Sequence, residues 1–591
     1  MFLALWISVA WSVDSAAGIT DERLRNVVRE HWEERLRADP IGATQLGDHR
    51  FDDRLADLGG ASLEQERRVR RDLLERARKV PGDELDENDR LTRALLVERL
   101  MSDVAVEACR FEHWRVGPRF NAWGVLADLV SSHPVHDATS ASSFLARVEA
   151  WPAYVAQETA NLRLGVHEGW VAPAGAVERT LTLLDAAIGT RAAAWPFSDP
   201  DDALAPEVVQ RQIRRDVLRV AERAVRPALV RYRNFLAEEV LPVARTGADE
   251  GISALPGGSS CYAALSRQHT TLPQDADALH QLGLTEMAKI HSAFRTLGVA
   301  TFKTDDLARI FKRLREDSEL RFDTSLEVQE EASRALAAAN AEVPHWFGRL
   351  PKTECVVEPM PDWEAPWSTI AYYRPAVPDG SVPGTYVINT FAPETRPRAE
   401  APALAFHEAV PGHHFQVSLA QELAELPAFR RFDGVTAFVE GWALYTEALA
   451  DEMGLYRTDV ERLGMWSFDA WRAARLVVDT GIHAKGWTRQ QAIDWMAINT
   501  PLALNNIENE VDRYVSWPGQ ALGYKVGQVE IRALRAEAEE TLGDRFDICG
   551  FHDTLLGAGA VSLPVLRTRV GDWVRIQAAR AVDDDSRACA L

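Results

Sequence analysis

The sequence predicts a mainly α-helical protein with two closely packed lobes and a small β-sheet edge beside a deep cleft. Over residues 20–345, apolar side chains recur three and four positions apart between charged ones, which is the pattern of amphipathic helices. The 591 residues exceed one ordinary domain, yet no long linker rich in glycine, serine or proline divides them. We therefore expect a helical lobe over residues 19–345 and a second lobe, holding the candidate site, over residues 346–591.

The first eighteen residues bear on the compartment of the protein. An apolar run at residues 2–13 precedes small residues at 16–18, as in the leader of an exported protein. No lysine or arginine comes before this run, however, and the run is too short to cross a membrane. Residues 1–18 are therefore either a leader or a short N-terminal helix, the protein is either exported or cytoplasmic, and we expect no transmembrane anchor.

Composition restricts the classes of partner. The net charge of -22 and the pI near 5.2 argue against nucleic acid, because phosphate recognition needs a basic surface. The five cysteines lie far apart and lack C-x-x-C spacing, so they predict neither a disulfide framework nor a cysteine metal site, and they leave open a single bridge.

A strand is predicted shortly before the candidate site. Residues 384–391 alternate between two faces and are rich in β-branched and aromatic side chains. Their position suggests an edge strand that lines the cleft, with Asn389 as a candidate substrate contact. Such a strand can bind an extended peptide through main-chain hydrogen bonds, or it can simply cover the site.

Metal-binding residue types are most concentrated in the run His-Glu-Ala-Val-Pro-Gly-His-His-Phe-Gln, which begins at His407. In the H-E-x-x-H helix of zinc peptidases, two histidines four positions apart reach one ion from one helix face. A continuous helix here would place His413 about 240° from His407 and His414 about 10 Å along the axis, so neither could share an ion with His407. Pro411 and Gly412 therefore predict an interruption that folds either His413 or His414 back beside His407.

The residues around these histidines complete a candidate hydrolytic site. Glu408 directly follows the first histidine, where the glutamate of a zinc peptidase holds the attacking water. Glu440, 33 positions after His407, lies in a predicted helix over residues 436–453 and is the candidate third ligand. Glu447 shares its helix face and could accept a hydrogen bond from a ligand histidine. The alternative is that both helix glutamates are solvated.

Other polar residues are candidates for roles in the reaction. Hydrolysis of an amide needs donors for the oxyanion and a proton for the leaving amine, and Tyr514, Tyr524 and His483 are the neutral donors available. Asp479 lies four residues before His483 and could orient its imidazole. The alternative for the tyrosines is packing in the core.

Two basic residues could bind a substrate carboxylate, Arg513 as a bidentate fork and Lys525 as a point charge. Either one would favour short peptides or free C-termini as substrates. The alternative for Arg513 is an ion pair with Glu510 or Asp512 on the surface.

Four segments together resemble one bacterial family. They are the H-E-A-x-P-G-H-H-x-Q run from His407, the E-G-W-A-L-Y-x-E run from Glu440, and the segments at residues 475–488 and 513–527. These segments resemble the family catalogued as domain of unknown function 885, strongly over residues 360–570. The resemblance implies a largely helical, zinc-dependent peptidase, similar in its two-lobed, zincin-like layout to angiotensin-converting enzyme and the oligopeptidases. It implies no particular substrate.

We therefore expect a zinc hydrolase that binds one Zn²⁺ per chain and cleaves short peptides with metal-activated water. A related hydrolase or tailoring enzyme that acts on a specialised amide or ester would keep all the residues named above. A binding protein that has lost catalysis need not keep Glu408, and a non-haem iron oxygenase would use the same ligand types. A base directly after the first ligand favours hydrolysis. The sequence does not indicate an oligomeric state.

Overall fold

The computed structural model describes residues 14–200, 205–361, 365, 369–377 and 382–580. Most of the predicted leader or N-terminal helix at residues 1–18 therefore lies outside the described residues. The described chain is mainly α-helical and contains a small three-stranded sheet, as predicted.

Before the sheet, the described part of the chain forms helices joined by loops and no strand. Its α-helices are α1 (Glu22–Ala38), α2 (Pro40–Gln45), α3 (Gly60–Lys79), α4 (Glu87–Val106), α5 (Phe111–Trp114), α6 (Ala122–Ser132), α7 (Ala138–Glu168), α8 (Ala174–Gly189), α9 (Glu207–Val220), α10 (Arg226–Phe235), α11 (Gly258–Thr270), α12 (Ala276–Phe302), α13 (Leu307–Glu316) and α14 (Ser325–Glu342).

The sheet contains β1 (Cys355–Pro359), β2 (Ala371–Arg374) and β3 (Gly384–Ile388) in the order β1-β3-β2. Strand β3 pairs in parallel with β1 and antiparallel with β2. The predicted strand is confirmed over residues 384–388, but its predicted place at the edge is wrong. Because both sides of β3 already form main-chain hydrogen bonds, β3 cannot bind a peptide by strand addition.

The part of the chain after the sheet returns to helices. They are α15 (Ala401–Glu408), α16 (His413–Glu422), α17 (Ala428–Phe432), α18 (Thr436–Glu452), α19 (Asp459–Lys485), α20 (Arg489–Asn499), α21 (Leu504–Ser516), α22 (Leu522–Leu542), α23 (Ile548–Leu556) and α24 (Leu563–Ala579).

The hydrophobic side chains form two main cores. The larger core extends from Ala16 to Val570 and omits most of residues 115–250, which build a second core between Val116 and Val240. The larger core thus combines residues from both sides of position 345, because α12 packs along α19. The site described below is built on helices of this larger core.

Close contact between α18 and α22 depends on two glycines. A Cβ atom on Gly441 would lie 2.5 Å from the backbone of Gly527, and a Cβ atom on Gly527 would lie 1.8 Å from the carbonyl oxygen of Ala437. Neither position has room for a side chain. Gly441 therefore allows the close approach of α22, which carries Tyr524.

A disulfide crosses the helical region. Cys109 and Cys261 form it, and it ties the segment before α5 to α11, so a bridge that the sequence left open is present between these two cysteines. Among the described helices, none is long and apolar enough to cross a membrane.

Candidate metal centre

The interrupted helix predicted between the histidines is confirmed. Helix α15 ends at Glu408, α16 begins at His413, and Pro411 and Gly412 form the connection. A Cβ atom on Gly412 would lie 1.9 Å from the carbonyl oxygen of His407, so only glycine fits where the chain reverses. The reversal places the imidazole rings of His407 and His413 with their centroids 4.7 Å apart.

Three side chains from three helices converge at this point. The Oε2 atom of Glu440 lies 3.7 Å from Nε2 of His407 and 3.3 Å from Nε2 of His413, and the three potential ligand atoms all lie within 4.8 Å of one another. Two atoms that each lie about 2.0–2.1 Å from a tetrahedral zinc ion stand about 3.3–3.4 Å apart. Two imidazoles and a carboxylate at this spacing fit zinc in both donor type and geometry.

The shared carboxylate oxygen has no hydrogen-bond donor. Oε2 of Glu440 is buried and forms no hydrogen bond with any described residue, although both imidazoles lie close by. A buried carboxylate oxygen without a donor is costly, which makes it unusual in a folded protein. A cation between the oxygen and the two imidazoles would satisfy it.

Glu447 supports the first histidine. Nδ1 of His407 donates to Oε1 of Glu447 over 2.8 Å, and Nη2 of Arg472 lies 3.4 Å from the same oxygen. A proton held on Nδ1 leaves the lone pair of Nε2 free and directed toward Glu440. Glu447 therefore lies where a carboxylate that orients a ligand histidine is required.

The pKa values show the same electrostatic pattern. Burial by itself would raise the pKa of Glu440, but His407 and His413 hold that pKa well below its ordinary value. Burial would lower the pKa of His407, but Glu440 and Glu447 raise it to about 9. The cluster thus keeps the Glu440 carboxylate negative and favours positive charge beside it, as a site for a divalent cation does.

The structure directs His414 away from the cluster. Its Nε2 donates to the carbonyl oxygen of Thr353 over 3.1 Å, and its Nδ1 accepts from the hydroxyl of Tyr373 over 3.2 Å. Burial lowers the pKa of His414 to about 4, so the ring is neutral. Successive helix residues point about 100° apart, so His413 and His414 face different surroundings. Of the two candidate ligands, only His413 lies with His407 and Glu440.

Glu408 is half-buried at the end of α15. Within the described part of the chain, its carboxylate forms no hydrogen bond and no ion pair. Its charge acts on Tyr386 of β3, whose pKa is raised well above the usual value first by burial and then by Glu408. A carboxylate next to a candidate ligand and without a protein partner is available to bind water.

Tyr524 lies beside the cluster. Its ring is nearly parallel to that of His407, with centroids 6.5 Å apart and an angle of 10° between the planes. Burial, followed by the charge of Glu440, raises the pKa of Tyr524. The phenol therefore stays protonated and can donate a hydrogen bond near the cluster. Its role as an oxyanion donor stays a prediction.

The predicted pair of His483 and Asp479 is not formed. Nδ1 of His483 accepts from the backbone N–H of Ile252 over 3.1 Å, and its Nε2 donates to the carbonyl oxygen of Tyr514 over 2.9 Å. Burial lowers the pKa of His483 to about 3. Both ring nitrogens thus hold backbone groups of neighbouring segments, which excludes a role in proton transfer.

Asp479 serves a different partner. It accepts from the hydroxyl of Tyr262 over 2.6 Å and from the backbone N–H of Gly519, and burial raises its pKa to about 7. The spacing of four residues to His483 is helical, as expected, but groups from two other segments occupy the carboxylate.

Tyr514 is also fully engaged. Its hydroxyl donates to Glu510 over 2.8 Å and accepts from Trp471 over 3.1 Å and from Arg475 over 3.0 Å. A hydroxyl with one donor bond and two acceptor bonds has no capacity left for an oxyanion. The alternative reading of Tyr514 as a core residue with a satisfied hydroxyl is therefore correct.

The two basic residues predicted to bind a substrate carboxylate are paired within the protein. Arg513 binds Glu510 over 2.9 Å and donates to Gln520 over 2.7 Å. Lys525 is fully buried, donates to Asp469 over 2.7 Å, and lies 3.3 Å from Glu286. Arg513 thus forms the ion pair with Glu510 that was its alternative role, although the pair is partly buried and does not lie on the open surface. Lys525 cannot reach a substrate.

Asn389 also has a structural role. Its side-chain amide donates to the carbonyl oxygens of Ala365 and Thr369, and its side-chain oxygen accepts from the backbone N–H of Phe391. The residue is 2% exposed. It connects the loop before β2 to the end of β3, and the prediction of a substrate contact is wrong.

Sequence reasoning missed two arginines near the cluster. Arg472 contacts Glu447, and the guanidinium of Arg475 lies 4.2 Å from the centre of the Tyr524 ring. A signal was present in the sequence. Within the apolar part of α19, charged and ionisable residues recur at Arg472, Arg475, Asp479 and His483, and a charged stripe on a buried helix indicates a polar interior surface.

The fold and the site define a class of protein: a mainly helical chain in which two histidines and a glutamate from three helices form a candidate metal site. The chain belongs to the family described as "Bacterial protein of unknown function (DUF885)", which it matches over residues 40–570. No curated protein matches it.

Two solved structures are similar to this chain over nearly its whole length. One is described as "the putative lipoprotein from Colwellia psychrerythraea", with 25% identity and a TM-score of 0.86 over 94% of this chain and 100% of the other. The second is "a putative lipoprotein of unknown function from Shewanella oneidensis", with 19% identity and a TM-score of 0.71 over 93% of this chain and 98% of the other. The second likeness shows the fold alone.

Proposed function

We propose that this protein is a zinc-dependent hydrolase, specifically a metallopeptidase of zincin-like, two-lobed layout that cleaves short peptides. The observation that carries the proposal is the convergence of His407, His413 and Glu440 around one point, with the unpartnered carboxylate of Glu408 next to the first ligand. Three protein ligands with a nearby base are typical of catalytic rather than structural zinc sites.

Zinc bound to these ligands would polarise the substrate carbonyl and lower the pKa of a bound water to about 7. Glu408 would take the proton from that water and later deliver it to the leaving amine. The hydroxyl of Tyr524 would donate to the oxyanion that develops on the substrate. Glu447 would keep the His407 ring oriented through Nδ1 throughout.

The position of Glu408 supports hydrolysis over the alternatives. A protein that only binds a ligand gains nothing from a half-buried carboxylate without a partner, because such a group costs stability. Oxygen chemistry at iron needs the two histidines and one carboxylate, but it does not need a further base beside them. Amide and ester substrates other than peptides would use the same groups.

Metal content together with peptide hydrolysis tests the proposal. Elemental mass spectrometry of protein purified without a metal-affinity column should find about one zinc per chain. A chelator should abolish hydrolysis of short peptides, and added zinc should restore it. Protein that takes up no zinc when zinc is supplied would contradict the proposal, and turnover that consumes oxygen with iron would favour an oxygenase.

We also infer that the protein is exported. Disulfides persist mainly outside the reducing cytoplasm, and Cys109 and Cys261 form one here. The similar solved structure at 25% identity is described as a "putative lipoprotein". If thiols are blocked during cell lysis, Cys109 and Cys261 should stay unlabelled while Cys355, which is free, is labelled. Labelling of Cys109 and Cys261 would place the protein in a reducing compartment.

A further inference from the structure

Arg119 lies on a hydrogen-bonded turn and has no partner among the described residues. The side chain is exposed, and it forms no hydrogen bond or ion pair with any residue in the described ranges. The turn itself is fixed: Gly117 and Phe120 exchange two main-chain hydrogen bonds, and the side chain of Asn121 donates to the carbonyl oxygens of Gly117 and Pro118. These hydrogen bonds fix the backbone position of Arg119, while its guanidinium forms no hydrogen bond or ion pair with a described residue.

The turn packs against the end of α21. The Phe120 ring meets Trp517 edge to face, with centroids 5.4 Å apart, and the guanidinium of Arg115 lies 3.6 Å from the centre of the Phe120 ring. Gly117 lies against Ser516: a Cβ atom on Gly117 would lie 3.4 Å from the side chain of Ser516. These contacts bring a segment of the N-terminal half next to residues 513–524.

Positive charge is in excess at this contact. Arg475 and Arg513 share one carboxylate, that of Glu510, which lies 3.1 Å from Arg475 and 2.9 Å from Arg513. Arg119 adds a third guanidinium. Its side chain keeps access to solvent, but the protein surrounds it closely enough that desolvation lowers its pKa first and the charge of Arg513 lowers it next, so the two cations interact. A single carboxylate leaves most of this charge uncompensated.

Tyr524 connects this cationic patch to the candidate metal centre. On one side its ring faces His407, and the charge of Glu440 acts on its hydroxyl. On the other side the guanidinium of Arg475 lies 4.2 Å from the ring centre, and Tyr524 is among the groups that influence the pKa of Arg119. A substrate amide at the metal centre could therefore extend past Tyr524 to Arg119.

We propose that Arg119 binds the C-terminal carboxylate of the substrate, so that the enzyme acts on peptides with a free C-terminus and cleaves them close to that end. This inference rests on the proposed function for the reaction itself. The carboxylate role was predicted for Arg513 and Lys525, but the donors of Arg513 are engaged by Glu510 and Gln520, and Lys525 is fully buried. Arg119 is exposed and unpartnered, and its guanidinium matches a carboxylate in a bidentate fork.

Binding of matched peptides tests the proposal directly. The probes are acetyl-trialanine and its C-terminal amide, which differ only in the carboxylate charge. Both are titrated calorimetrically into full-length, zinc-loaded protein that carries Glu408→Gln so that turnover is slow. We expect the acid to bind roughly ten- to hundred-fold tighter than the amide, as is typical of a charge-assisted hydrogen bond. Arg119→Ala should remove this preference while the amide binds as before.

Three further variants sharpen the result. Arg119→Lys should restore part of the preference, because it keeps the charge and loses the fork. Arg119→Gln is a second variant without the positive charge, and it replaces Arg119→Ala if the alanine variant does not fold. Circular dichroism checks the fold of each protein. Arg223→Ala removes one positive charge from an exposed position on residues 221–225 and should leave the preference unchanged.

Several outcomes overturn the carboxylate role. They are equal binding of acid and amide by the parent protein, no binding of either, an unchanged preference in Arg119→Ala, or an equal loss of acid and amide binding in that variant. Failure of the proposed function is recognised separately, because binding is measured without turnover. A protein that prefers the acid through Arg119 but hydrolyses no peptide keeps this inference and loses the reaction.

Discussion

Glu408→Gln should lower kcat for peptide hydrolysis by about 10²- to 10⁴-fold while the protein keeps about one zinc per chain. Glutamine has almost the same shape as glutamate but cannot accept a proton at neutral pH, so the change removes the base alone. The substitution should leave the surrounding structure unchanged, because no described residue depends on the Glu408 carboxylate for a hydrogen bond. Steady-state kinetics with zinc-saturated enzyme and elemental analysis of the same samples measure the two quantities.

Glu447→Gln is the matched control for that experiment. Here the altered carboxylate holds Nδ1 of His407, so the expected loss is about ten- to hundred-fold in zinc affinity rather than in kcat at saturating zinc. If Glu408→Gln retains turnover, Glu408 has no part in the mechanism. If it loses zinc instead, the residue supports the metal site and a different base must be sought.

The grouping of His407, Glu440 and one of the two adjacent histidines could be predicted from the sequence because its determinants are local. Helix geometry shows that His407 and His413 cannot meet on a continuous helix, and Pro411 and Gly412 show where the helix breaks. The contribution of Glu440 followed from the glutamates and apolar neighbours of α18. Each of these inferences needs only the geometry of one or two helices.

Roles that depend on distant partners could not be predicted in the same way. Lys525 looked available for substrate, but Glu286 on α12 and Asp469 on α19 neutralise it. His483 and Asp479 have the spacing of an interacting pair, yet each has other partners. His483 bonds the backbone of Ile252 and Tyr514, and Asp479 accepts from Tyr262 on α11 and from the backbone of Gly519. Spacing along a helix shows which residues share a face, but it does not show which groups from other elements fill that face.

The position of β3 illustrates the same limit for sheets. Alternation along residues 384–388 indicated a strand correctly, since it depends only on that segment. Whether a strand is central or at an edge depends on its neighbours, and β1 and β2 come from a region dense in proline, where strand patterns are weak. Arg119 was missed because its place beside α21 depends on packing across nearly 400 residues of sequence.

The choice between the two adjacent histidines can be settled by a pair of substitutions with opposite expected results. His413→Ala should weaken zinc binding by at least about 10³-fold, because roughly 10–16 kcal/mol of zinc binding is shared among only a few ligands. His414→Ala should leave zinc affinity within about twofold of the parent value, since both ring nitrogens of His414 bind other groups. Competition with a chromogenic zinc chelator measures both affinities.

His414→Ala should lower the stability of the protein rather than its zinc affinity. Its ring fills a buried space against β3, where Gly384 approaches it, and it bonds Thr353 and Tyr373. Losing that ring should lower the free energy of unfolding by about 1–3 kcal/mol, whereas His413→Ala, in a site open to a cation, should cost little stability in the absence of zinc. Zinc should accordingly raise the melting temperature of His414→Ala but not that of His413→Ala. The reverse result, with zinc affinity lost in His414→Ala, would mean that α16 rotates when it binds metal.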